Sequence, residues 1–559
     1  MRRSRRLAER LGRHASRHRP GARGAVFIQI DGLSHEALVK AMRFRAAPFV
    51  RKLLRKRGYV LSRYRVGLPA VTAGHNAKAF HGDASLVPGL YWFDRKEGRP
   101  RAMGSPADAR DIEARFTTPG ALENGAAYGT FFQGGAHHSA FTVSGADFGQ
   151  LATTIPAWDL FAFLVANAPA LVRVALGTVY ETTLELWDHV RSVGAGGPGE
   201  AEIPFLFERV VTNAIMREMT TAAVSVDIHR GVPVIWANFP AYDVMAHHKG
   251  PMSLRALLTL RGVDRCVRVI ERAVRQSATC DYDLFVLSDH GMVPTVSFDA
   301  VHGSDFHTWL VREGAGAART VGGRRGTPDI LPSAQLLSEL RRIRPALPGL
   351  LARISAAVER RLERRIRRWE LHHEGTHVLS GAETSIHYCG GMAHVYLAPV
   401  GEALPREGIE AAWPGLVDAL ARLDGVRAVV TRAAGGGVEA TGSAGSLVAR
   451  DGGETVIVRG ADPLEGIVDR SDAVRDILAL CANPDAGDIV VFAGPLDGRG
   501  RGRRRGKLYL NFQRQSGAHG GLEPQEQYAF LMGPLEKRAE IEGLRSPDDF
   551  YSLLRAYHG

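Results

Sequence analysis

Six residues of metal-binding type each follow an apolar run in this chain. Asp31 ends "VFIQID", and Asp243 and His247 follow "VIWANFPAY". Asp289 and His290 end "DLFVLSDH", and His519 follows "LYLNFQRQSGA". Three carboxylates and three imidazoles form an oxygen and nitrogen donor set suited to zinc or manganese, and large enough for two ions. Asp289 and His290 are adjacent and can reach one ion from a sharp turn. Asp243 and His247 share a face if they lie on one helical turn, with His248 as a competitor. A seventh residue, Thr72 in "VGLPAVTAGHNAKAFHGD", follows an extended proline-bearing stretch and precedes the helical pattern "AGHNAKAF". A hydroxyl there faces the free amides of a helix N-terminus, which suit a phosphate oxygen. It becomes a nucleophile only when a base or a metal ionises it.

The elements that must position these residues follow from periodicity. "GAVFIQI", "PVIWANF" and "DLFVLSD" read as short buried strands, and helical patterns such as "LRALLTLRGVDRCVRVIERAV" lie between them. Strands alternating with helices predict an α/β fold with a mostly parallel central sheet and helices on both faces. Sites in such sheets gather at the carboxyl ends of the strands. From Ser385 onward strands and helices resume in "AHVYLAP", "GIEAAWPGLVDALARL", "ETVIVRG", "DIVVFAG" and "KLYLNF", as a second domain or as completion of the first sheet. Four segments are expected. A basic disordered tail covers 1–23, and the first part of a catalytic domain covers 24–310 with a helical insertion at about 155–215. A mobile loop and an arginine-rich amphipathic helix cover 311–380, and 381–559 completes the catalytic domain with the last ligand.

Five segments in order, "IQIDGLSHEAL", "LPAVTAGHNAKAFHGD", "YDVMAHHKGP", "VLSDHGM" and "SGAHGGL", resemble the type I phosphodiesterase/nucleotide pyrophosphatase branch of the alkaline phosphatase superfamily. The resemblance implies an alkaline-phosphatase-like fold and two metal ions bridged by the reacting phosphate. One ion would take Asp31, Thr72, Asp289 and His290, and the other Asp243, His247 and His519; family spacing favours His247 over His248. It also implies in-line attack by Thr72, a phosphothreonine intermediate and its hydrolysis by water. The ions would be zinc, with manganese the alternative. The nucleotide pyrophosphatases carry an asparagine in a "GNSMYDP"-like segment that binds a phosphate oxygen. The matching "PGLYWFDR" has Leu90 at that place, which puts nucleotide substrates in doubt, and Tyr91, Trp92 and Asn76 are candidates to compensate.

The 559 residues are 45% hydrophobic and 23% charged, a globular composition long enough for more than one domain. Four widely spaced cysteines without a CxxC pair argue against a disulfide framework and a thiolate metal site. The net charge of +12 is local. Met1–Gly24 holds nine arginines against one glutamate, Arg341–Arg368 ten against two, and "DGRGRGRRRGK" is also basic. Such segments can touch anionic lipid or nucleic acid; the bland reading of the tail is a solvated chain. No apolar core follows the N-terminal arginines, so no secretory signal is read. "WDLFAFLVANAPALVRVALGTVY" contains Asp159, Asn167, Pro169 and Arg173 and reads as a buried or surface-lying helical hairpin. The expectation is a cytoplasmic enzyme, with peripheral membrane contact through its arginine segments as an option. Its expected partner is a small-molecule or lipid phosphate ester, with no specific nucleic acid.

Rival motifs are weaker. "HHEGTH" is a formal HExxH through His373, Glu374 and His377, but Gly375 opposes helix and no third ligand is evident. His137, His138, His387, Cys389 and His394 are more readily structural, and "SIHYCGGMAH" reads as a strand near the metals. "GRGRGRRRGK" resembles a nucleic-acid-binding segment, against the simpler reading of a basic loop. Phosphodiester hydrolysis is the leading function. Phosphomonoester hydrolysis or phosphotransfer, with sulfate ester hydrolysis the weakest member, comes second. A non-catalytic nucleic-acid- or lipid-binding protein comes last, because clustered aspartates without a cation repel one another.

Overall fold

The computed structural model describes residues 23–145, 209–310, 384–397, 401–450, 452–496 and 507–558, with scattered residues in 172–187 and 312–364. The "HHEGTH" segment and the N-terminal tail lie outside the described residues, as does most of the basic loop after Asp497. Of the arginine-rich helix, Ser355 and Glu359 are buried and Val358 half-buried. Glu359 accepts from Ser355 Oγ at 3.0 Å and from an Arg344 guanidinium N–H at 2.9 Å.

A seven-stranded sheet carries the ligand-bearing strands. Its order is Tyr59–Arg65, Tyr528–Pro534, Tyr282–Leu287, Gly24–Ile30, Val234–Phe239, Ala126–Tyr128 and His138–Ala140. All pairs are parallel except those made by Tyr528–Pro534, which runs against both neighbours. Gly24–Ile30 is central because all seven residues are buried and apolar on both faces save Gln29, the pattern of a strand covered on both sides. On one face Phe27 stacks between Trp236 and Phe285 at 5.3 and 4.7 Å, one ring from each of three adjacent strands. Trp236 Nε1 donates to Gln29 Oε1 at 2.9 Å, which satisfies the one polar side chain of the strand. On the other face Val26, Ile28 and Ile30 pack with helices His35–Arg43, Pro48–Lys56, Arg217–Arg230 and Leu254–Arg275. Each such fully buried side chain contributes about 1.5–3 kcal/mol.

The later part of the chain does both things left open by the sequence. Seven strands between Ser385 and Ala493 form their own antiparallel sheet, which packs on the Phe27 side of the first. Tyr528–Pro534 then returns to pair beside Tyr282–Leu287 in the first sheet. No helix among the described residues is long and apolar enough to cross a membrane.

Candidate active site

The three central strands end level. Gln29 is registered against Asn238 and Leu287, and Ile30 against Phe239. Three consecutive exits therefore deliver Asp31, Asp243 and Asp289–His290 to one place. Pro240 opens helix Ala241–Lys249, which puts Asp243 and His247 one turn apart on one face, His247 Nε2 lying 3.2 Å from Asp243 Oδ2. His248 bonds back to Val244 O at 3.0 Å, and burial first of all lowers its pKa to about 4. Of the two competing histidines, His247 faces the cluster.

Thr72 begins helix Thr72–His81 after the extended Val71. Its Oγ1 donates to Asp31 Oδ1 at 3.1 Å and lies 3.2 Å from His290 Nε2. His519 follows the short strand Gly517–Ala518, which pairs with Val293–Ser297 just beyond His290. The rings of His290 and His519 stack at 3.9 Å, and His519 Nε2 lies 3.1 Å from His247 Nε2. All seven residues singled out in the sequence thus converge. Asp31, Asp289 and His290 form one compact donor group, and Asp243, His290 and His519 form another that shares His290.

The donor set fits divalent cations. His247 Nδ1 faces Gly517 O at 2.9 Å, His519 Nδ1 faces Ala70 O at 2.9 Å, and His290 Nδ1 faces Gly291 O at 3.1 Å. A carbonyl only accepts, so each Nδ1 carries the proton and each Nε2 presents a lone pair to the cluster. Two such lone pairs 3.1 Å apart suit a cation held between them. Asp243 Oδ1 and Asp289 Oδ2 are buried without a hydrogen-bond donor. Burial, then the charges of Asp289 and Asp243, raise the Asp31 carboxyl well above the carboxylate range. Burial, then His290, lower the His519 imidazole. A bound cation would stabilise the ionised Asp31 carboxylate and accept the lone pair of a neutral His519.

Sequence reasoning missed the groups that hold the ligands. Asn238 Nδ2 donates to Asp31 Oδ2 at 2.7 Å and to Gly129 O at 3.2 Å. Gly32 has φ +71°, its amide donates to Asp289 Oδ1 at 3.2 Å, and a Cβ there would sit 2.3 Å from Asp243 Oδ1. The "CGG" turn, read as a strand near the metals, backs the His519 loop: Gly391 N donates to His519 O at 3.0 Å. Tyr64 donates to the Ser288 carbonyl, so His75 must donate its Nε2 proton to Tyr64 Oη, 2.9 Å away. That bridge ties the Thr72 helix to the turn carrying Asp289. The remaining candidates are structural or remote. His394 donates to Pro88 O and accepts from Gly487 N, Leu90 packs on the apolar core, and His137 is exposed.

A mostly parallel α/β sheet with these donors at its strand exits fits a hydrolase of phosphoric esters, the class to which its family assigns it. The model of the type I phosphodiesterase/nucleotide pyrophosphatase family matches residues 25–350, and the chain belongs to that family. The resemblance read from the five segments is borne out at that level. Similar solved structures include phosphonoacetate hydrolase from Sinorhizobium meliloti 1021 in complex with phosphonoformate, at 15% identity over 96% of this chain and 97% of that one, TM-score 0.46. Murine ectonucleotide pyrophosphatase/phosphodiesterase 5 in complex with AMP is similar at 11% identity over 96% and 94%, TM-score 0.44. No curated protein matches the chain.

Proposed function

We propose that the chain cleaves a phosphodiester with Thr72 as nucleophile and two divalent ions, zinc or manganese. Asp31, Thr72, Asp289 and His290 would hold one ion, and Asp243, His247 and His519 the other. The observation that carries the reading is the convergence of the Thr72 hydroxyl with three lone-pair Nε2 atoms, the buried carboxylates of Asp31 and Asp289 and the half-buried one of Asp243. When bound, the two ions supply Lewis-acid charge that acidifies a hydroxyl and neutralises phosphate oxygens. The Thr72 hydroxyl donates to Asp31, which leaves an Oγ1 lone pair free to meet phosphorus. Oγ1 loses its proton and attacks in line. The Thr72 O–P bond forms as the bond to the alcohol leaving group breaks. Water then attacks the phosphothreonine and restores the hydroxyl. Amides of the first turn of Thr72–His81 would receive phosphate oxygens, as free amides at a helix N-terminus do.

Leu90 favours a second reading inside the same class. Its apolar contacts offer no donor where the nucleotide pyrophosphatases place an amide, so a smaller phosphomonoester, or phosphotransfer, is the alternative. The test is hydrolysis of a chromogenic phosphodiester beside its monoester, for wild type and Thr72→Ala, with zinc or manganese restored after chelation. Diester turnover that needs both Thr72 and metal supports the proposal. Turnover of the monoester alone shifts it to the second reading. A Thr72→Ala enzyme at the wild-type rate refutes the nucleophile.

A further inference from the structure

A strongly basic, partly apolar surface lies on the helical layer over the Val26 face of the large sheet. Helices Pro48–Lys56 and Leu254–Arg275 pack side by side there, with the Phe49 and Val50 amides bonded to Asp264 at 2.9 Å. Their outward side shows Lys52, Arg55, Arg261, Arg268 and Arg272 exposed. Asp264 and Glu271, the only carboxylates on these two helices, are buried. A surface of one sign is thus left without exposed acidic neighbours on either helix. Apolar side chains are set into it: Leu254 is 69% and Leu258 38% exposed, at the end of the layer next to helix Ala241–Lys249. A further helix, 172–180, joins this layer through Glu218, which accepts from both Arg173 and Arg265. It turns Leu176 and Val179 outward, 64% and 65% exposed.

We propose that this face docks on an anionic lipid surface. Charge complementarity selects a polyanion, and clustered cations near an anionic leaflet each add about fivefold in affinity. The exposed leucines and Val179 select lipid over nucleic acid, because a phosphate backbone gives apolar side chains nothing to bury against and an acyl boundary does. The helices lie on such a surface, since none among the described residues can span it. Binding is measured by co-sedimentation of the full chain with phosphatidylcholine vesicles with and without one quarter phosphatidylglycerol. The variants are Arg268→Glu/Arg272→Glu and Leu254→Ser/Leu258→Ser, with unchanged thermal melts as the folding control. Binding to the anionic vesicles only is expected, at least about tenfold weaker in the arginine variant and also weaker in the leucine variant. The idea is overturned if wild type does not sediment. It is equally overturned if the arginine variant binds as wild type, which would leave other basic segments responsible. Undiminished binding by the leucine variant, with displacement by duplex DNA, would make the face a nucleic-acid surface instead.

Discussion

Replacing Gly32 by alanine should dismantle the metal site while leaving the fold in place. Gly32 sits between Asp31 and the residues that face it, with φ +71°. An L-residue pays about 1–2 kcal/mol for that backbone conformation. The added methyl would also lie 2.3 Å from Asp243 Oδ1, where ordinary contact begins at 3.4 Å. The Asp243 carboxylate must therefore retreat by about 1 Å, several times the tolerance of roughly 0.2 Å on a metal–ligand distance. A displacement of that size costs about 100-fold in rate even when ligands survive. Gly58 separates the two effects. Its φ is +66° and a Cβ there meets nothing within 4 Å, so Gly58→Ala carries the strain without the clash. Both variants should lose about 1–2 kcal/mol in urea melts. Only Gly32→Ala should lose zinc in calorimetric titration of the chelated protein and at least about 100-fold in phosphoester turnover. Wild-type zinc affinity in Gly32→Ala, or an equal loss in Gly58→Ala, would refute the reasoning.

Asn238→Ala removes the donor to Asp31 Oδ2 and should weaken metal binding about 10–100-fold, read by competition with a chelating dye. His247→Ala should lose metal in the same titration while His248→Ala retains it, because only His247 faces His519. Tyr64→Phe leaves the Ser288 carbonyl and the His75 proton without partners and should cost about 1–3 kcal/mol in chemical denaturation. Burial lowers His394 to about 4, and the ring is held neutral between Pro88 O and Gly487 N. The unfolded chain takes up a proton below about 6.5 while the folded one does not until about 4. Stability should thus be full above pH 6.5 and fall by about 3 kcal/mol toward pH 4, with a flatter profile in His394→Gln.

The ligands were legible because each is written next to its own strand. A buried apolar run announces a strand, and an Asp or His at its end needs no knowledge of what pairs with what. Parallel order then brings the ends to one edge of the sheet. The supports are another matter. Asn238 reads as one polar residue in a buried strand, and only the pairing of Gln29 with Asn238 sets it beside Asp31. His519 is held by Ala70, 449 positions away in the chain, and by the Gly390–Gly391 turn of a different sheet. The same limit hid the division of the C-terminal part. Antiparallel strands such as Ile489–Ala493 and parallel-sheet strands look alike as short apolar runs, so nothing local tells that Tyr528–Pro534 leaves one sheet for the other. Chemistry carried by single residues survives in a linear reading. Chemistry carried by contacts between distant segments does not, and here that second kind decides the tautomer of two of the three histidines in the cluster. Each Nδ1 proton is fixed by a backbone carbonyl outside its own strand exit or turn, except that of His290, whose acceptor is the next residue. His290 is accordingly the one ligand whose tautomer could have been argued from sequence alone.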